Sequence, residues 1–194
     1  MSGTGLRDAM ESQPSLFRDG QFLKCNAIKP FSAKHVIQHM NARGVSETGL
    51  SAADLALIFY AKGGRRRDDA DMAKEALTDA TRRAFQSKNN PIKAINILKR
   101  IPGVGTSIAS AIMSWVFPQH YAVWDRHSAS AAAYFGLVDD KYKSHASAVP
   151  YARFNEAIYR FCADVDVIGD LKLTPQKVDV WLYNYSKRHG LSEQ

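Results

Sequence analysis

The stretch Ile101-Pro102-Gly103-Val104-Gly105-Thr106-Ser107 decides how the chain folds. Ile92 to Arg100, just before it, has apolar residues at Ile92, Ile95 and Leu98, the spacing of a helix face. Pro102 ends that helix, because proline has no N–H and clashes with the preceding turn. Gly103 and Gly105 give a tight reversal and leave the backbone uncovered. Ile108, Ala111, Ile112, Trp115 and Val116 then fall on one face of a second helix. The pattern is helix, glycine turn, helix. The amides of Gly103, Gly105 and the first turn of the second helix are donors at the positive end of a helix dipole, and they suit a phosphate.

Ile-Pro-Gly-Val-Gly resembles the helix-hairpin-helix of DNA-binding proteins, a motif shared by ligases, polymerases and nucleases. From Gly105 to Asp125 is 20 residues, and Asp125 sits in Ala122-Val123-Trp124-Asp125-Arg126-His127. That spacing resembles the helix-hairpin-helix DNA glycosylases of the endonuclease III and adenine glycosylase type, which place an essential aspartate there in a similar apolar–apolar–Asp–x–His setting. The likeness covers roughly Ile92 to Gly136. It implies that amides at Gly103, Gly105 and Ile108 face a DNA phosphate. It also implies that the carbonyls of Lys99, Ile101 and Val104 hold a structural monovalent cation, with no other cofactor. Asp125 would be the catalytic carboxylate, with Ser107, His127 and Trp124 in support. N-glycosidic cleavage builds positive charge on the sugar, and a fixed anion in a site of low dielectric stabilises it. Asp125 is equally suited to cap a helix beginning near His127, and the two roles are compatible.

Lyase-competent members carry a Schiff-base lysine two residues after the second hairpin glycine. Position 107 is serine, as in the monofunctional adenine-specific members. The chain departs from the family in lacking an upstream apolar–Ser–Gln–Gln-like stretch and a second upstream acid. Three functions are therefore weighed. The first is a monofunctional DNA N-glycosylase. The second is a non-catalytic helix-hairpin-helix DNA-binding protein. The third is a helical protein–protein adaptor.

Composition agrees with a basic globular protein. The chain has 194 residues, 45% of them hydrophobic, with a formal net charge of +7. Such a balance favours a polyanionic partner through counterion release. Two cysteines, Cys25 and Cys162, are too few for an iron–sulfur cluster or a disulfide framework. No stretch has the length of a membrane span, so an intracellular protein is expected; the resemblance implies double-stranded DNA as the partner, with a monomer favoured.

Residues 1–30 read as an N-terminal arm with at most a short helix, with Phe17, Phe22 and Leu23 as candidate anchors, and 31–194 as a single all-α domain with the hairpin at 92–117. About eight helices are expected. Ser51 suits the N-cap of Ala52 to Ala61, and Thr174-Pro175 opens the last helix. Lys62-Gly63-Gly64-Arg65-Arg66-Arg67 is a basic loop, and Arg65, Arg66 and Arg67 are candidate phosphate contacts. His35 and His39 share a helix face, but no third metal ligand is evident. Trp115, Trp124 and Trp181 read as core, with Trp124 close enough to Asp125 for stacking on a base.

Overall fold

A computed structural model describes residues 3–17, 33–62, 74–139 and 147–192. The described residues are mostly helical. They form α1 (Gly3–Ser12), a 3-10 turn (Pro14–Phe17), α2 (Ala33–Ala42), α3 (Val45–Thr48), α4 (Ala52–Ala61), α5 (Lys74–Gln86), α6 (Pro91–Leu98), α7 (Thr106–Val116), α8 (Arg126–Tyr134), α9 (Ala148–Val165) and α10 (Pro175–His189). Between α9 and α10 lies a small antiparallel hairpin, β1 (Val167–Ile168) and β2 (Leu171–Lys172), with Val167 opposite Lys172. Two helices exceed the eight expected. One is α1, whose Leu6 and Met10 are buried, and the other is the single-turn α3. The hairpin is also unforeseen. Its strands are two residues long, too short to display an alternating pattern.

Local chemistry sets the helix starts. Ser51 and Asp54 form a capping box at α4, the Ser51 Oγ accepting from Asp54 N at 3.2 Å and Ser51 N donating to Asp54 Oδ2 at 2.7 Å. Asn90 and Thr174 accept from Lys93 N and Lys177 N, with Pro91 and Pro175 at the first helical positions. The expected start of α5 near Asp68 or Asp69 lies outside the described residues, as do Phe22, Leu23, Cys25, Arg65, Arg66 and Arg67.

The N-terminal segment docks on the last helix. Trp181 Nε1 donates to Gln13 O at 3.1 Å and Asn184 Nδ2 to Leu16 O at 2.9 Å. Phe17 approaches the Trp181 ring, which stacks on Tyr185 and meets Phe135 at the end of α8. Helix α8 packs along α10, and α6 lies between α5 and α9. Cys162 is buried, and burial pushes its thiol up to about 12, so it stays protonated and inert.

Two positions carry testable consequences. Gly49 has a φ of 84°, and a Cβ there would come 2.5 Å from the Thr78 carbonyl oxygen. The close approach lets Leu50 N donate to Thr81 Oγ1 at 2.8 Å and Leu50 O accept from Thr78 Oγ1 at 3.1 Å. Gly49→Ala adds the cost of a backbone conformation open essentially to glycine alone to an overpacking cost, roughly 2–4 kcal/mol together, and thermal melting should fall by about 5–15 °C. An unchanged melting temperature would contradict this packing.

The second position is Asp54, whose side chain is 0% exposed. Burial alone raises its pKa, but hydrogen bonds from the Ser51 hydroxyl and amide, Arg43 and His39 outweigh it and hold the carboxyl below its usual range. A folded-state pKa lower than the unfolded one adds stability above about pH 4, lost as pH falls through the folded value. Melting of the wild type should therefore drop steeply below about pH 4. Asp54→Asn should melt lower at neutral pH and show a shallower acid slope. This pairing also accounts for His39, which binds Asp54 Oδ1 at 3.0 Å rather than facing a metal.

Candidate active site

The turn between α6 and α7 begins at Lys99, which caps α6, and ends at Gly105, which caps α7. Ile101 O accepts from Val104 N at 3.0 Å and closes it. Gly103 has a φ of 77°, accessible to glycine at little cost, and packs over Phe59. Gly105 caps α7 without a side-chain hydrogen bond, and both glycines are exposed. Ile108 is half-buried in the first turn of α7. The three carbonyls of Lys99, Ile101 and Val104 belong to this turn, and that of Ile101 is engaged in closing it.

Beyond α7 the chain returns through the core as an extended segment, 121–125. Tyr121, Ala122, Val123 and Trp124 are almost fully enclosed. An extended backbone buried without a sheet partner must find side-chain partners. Ala122 N donates to Asn155 Oδ1 at 2.8 Å, and Ala122 O accepts from Tyr151 Oη at 3.1 Å. Trp124 N donates to Ser110 Oγ at 2.8 Å, while that hydroxyl donates to Ser107 O at 3.0 Å. Helices α7 and α9 thus hold the segment from both sides and fix where Asp125 emerges.

Asp125 is the N-cap of α8, with Oδ1 accepting from Ser128 N at 2.9 Å. Its other oxygen, Oδ2, is buried, accepts no hydrogen bond, and lies 3.9 Å from Lys62 Nζ. The two side chains are 13% and 14% exposed, so the pair is little screened by water. A cleft of about 310 Å³ opens here, lined by Lys62, Ser107, Trp115, Asp125, His127 and Tyr183 among others. Asp125, Ser107 and His127, distant in sequence, therefore share one cleft. His127 Nδ1 is 2.9 Å from Ser192 Oγ, and its ring meets Tyr183 edge-on at 5.0 Å.

No known protein family, curated protein or solved structure matches this chain. The chemistry of the cleft therefore rests on its own residues. The Asp125 side chain is 13% exposed at this cleft, so part of its carboxylate is open to a water or to a developing cation. Trp124 has no such access. It is 1% exposed and enclosed by Phe154 and Tyr151, so its indole has no face to offer a base.

Sequence reasoning missed three residues here. Lys62 reads as the first residue of a basic loop, yet it is the C-cap of α4 and turns into the cleft. Tyr183 reads as an ordinary surface position of the last helix. Asp179 shares the buried face of α10 with Pro175, Leu182 and Ser186, and its carboxyl is 0% exposed. A charge in register with an apolar face was the available signal.

Proposed function

We propose that the protein is a monofunctional DNA N-glycosylase with Asp125 as its catalytic carboxylate. The supporting observation is Asp125 Oδ2, buried without a hydrogen bond in a cleft beside the N-terminal half of α7. The amides around Gly103 and Gly105 bind one backbone phosphate, and the net charge of +7 draws the duplex. A flipped nucleotide brings its sugar against Asp125. As the C1′–N bond breaks, the base leaves with the electron pair and takes up a proton. Asp125 stabilises the sugar cation and accepts a proton from the water that adds to C1′. The product is an abasic site in an unbroken strand. Lys62 holds Asp125 in place, and any cation at the hairpin would only stiffen the turn.

The test is single-turnover incubation with duplexes that each carry one damaged, mismatched or modified base. Strand cleavage that appears only after alkali is the expected result. Cleavage without alkali, with a borohydride-trapped adduct lost in Lys62→Arg, would instead assign Lys62 as an amine nucleophile. Silence across the panel, with duplex binding that weakens steeply as salt rises, would leave a DNA-binding module. No helix among the described residues is long and apolar enough to cross a membrane.

A further inference from the structure

Most arginines among the described residues are held by the protein itself. Arg7 pairs with Glu11, Arg43 with Asp54, Arg82 and Arg83 with Asp79, and Arg160 with Glu156, while Arg188 donates to Gln13 Oε1. Arg100 and Arg126 differ. Both are exposed, and neither makes a hydrogen bond or ion pair with another described residue. Arg100 stands in the turn after α6, next to the hairpin amides. Arg126 lines the mouth of the Asp125 cleft. It is the first residue of α8, where the positive end of the helix dipole disfavours a cation. Local stability therefore gives no reason for an arginine here, and such departures from a local rule gather at functional sites. With His127 neutral, the other charges of the cleft cancel, because Lys62 faces Asp125 at 3.9 Å. Arg126 is left as the uncompensated charge.

We propose that Arg126 binds a phosphodiester flanking the nucleotide held at Asp125. The inference deepens the glycosylase reading and takes from it only the strand that enters the cleft. The Asp125 side chain is 13% exposed, whereas Arg126 is open to solvent. A sugar drawn in against Asp125 leaves its two phosphates outside, at the level of Arg126, the next residue. The hairpin meets the same mouth, because Ser107 in the first turn of α7 lines it too. The hairpin amides and Arg126 then hold the strand at two points, and this fixes how the sugar is turned over Asp125. A guanidinium suits the task. Its planar fork matches two phosphate oxygens, and it stays charged at any working pH. No internal ion pair has to break before it binds. Phosphate contacts carry no sequence information, so the subsite serves whichever base is recognised.

The test is fluorescence anisotropy of the full chain with duplexes carrying one tetrahydrofuran abasic analogue, a sugar with no base to release. In separate duplexes an uncharged methylphosphonate replaces the phosphate on its 5′ side, on its 3′ side, or at a remote position. Arg126→Ala should bind the all-phosphate duplex about tenfold more weakly, the equivalent of one charge-assisted hydrogen bond. Neutralising one of the two flanking phosphates should weaken the wild type by a similar factor and leave Arg126→Ala unchanged, as expected of partners in one contact. The remote methylphosphonate should affect both proteins equally. The slope of log affinity against log salt should be shallower by about one in the variant. Arg126→Ala should melt no lower than the wild type, which separates a lost contact from a lost fold. The proposal is overturned if Arg126→Ala binds as the wild type does, or if each flanking methylphosphonate weakens the variant as much as the wild type. Coupling of this kind without base release from any duplex would sink the glycosylase reading and leave the phosphate contact standing. Base release by a protein whose binding ignores Arg126→Ala would do the reverse, and no duplex binding by the wild type would overturn both.

Discussion

Asp125→Asn should abolish base release, by at least about a hundredfold, while leaving the fold intact. The two oxygens of Asp125 have different jobs. Oδ1 caps α8 through Ser128 N, and asparagine caps as well as aspartate does. The cap is therefore kept and circular dichroism should be unaltered, the stability cost being the loss of the charge beside Lys62. Oδ2 faces the cleft and Lys62, and an amide in its place has no charge to set against a sugar cation. Removing one preorganised electrostatic partner of a transition state typically costs 10²–10³-fold in rate, which sets the size expected here. Duplex affinity should be unaffected, since the hairpin amides are untouched. Full base release by the variant would make Asp125 a helix cap and nothing more. Burial raises the Asp179 pKa and the charge of Asp125 adds to the rise, so the substitution should also lower it.

Much of the helical frame was legible because its signals are local. Ser51, Asn90 and Thr174 cap the helices they precede, and Gly103 lies in the left-handed region that the hairpin requires. The 20-residue step from Gly105 to Asp125 brings the aspartate back to the N-terminal half of α7, where Ser107 and Asp125 line one cleft. Lys62 was not legible, because beside three arginines it looks like surface charge and only packing reveals that α4 ends at the cleft. Asp179 was legible only through its register with the apolar face of α10, a signal that a charged residue in a polar stretch masks. Trp124 lies in the core, as its sequence reading had it, and offers no face for stacking on a base. Adjacency to Asp125 suggested contact with a base, but successive residues of an extended segment point to opposite sides. With Asp125 directed at the cleft, Trp124 is directed at Phe154.

Asn155→Leu should damage stability and base release together, which separates it from Asp125→Asn. Asn155 is 4% exposed and spans two bonds on the buried segment, accepting from Ala122 N at 2.8 Å and donating to His120 O at 2.9 Å. Tyr151 Oη, bonded to Ala122 O, lies 3.4 Å from the same Asn155 oxygen, so three residues share one network. Leucine fits the volume but supplies neither partner. The Ala122 amide is then left buried and unpaired, and the cost of such groups is about 1–3 kcal/mol each. With the Tyr151 contact also perturbed, a total near 3–4 kcal/mol is expected, and melting about 6–15 °C lower. The functional loss follows from position. Ala122 lies three residues before Asp125, and the segment has no sheet to hold it if the α9 contacts go. A displacement of about 1 Å at a catalytic group can cost a hundredfold in rate. Base release should fall even at temperatures where circular dichroism shows the variant fully folded. Normal release from a destabilised variant would mean that Ser110 and the α8 cap position Asp125 without help from α9.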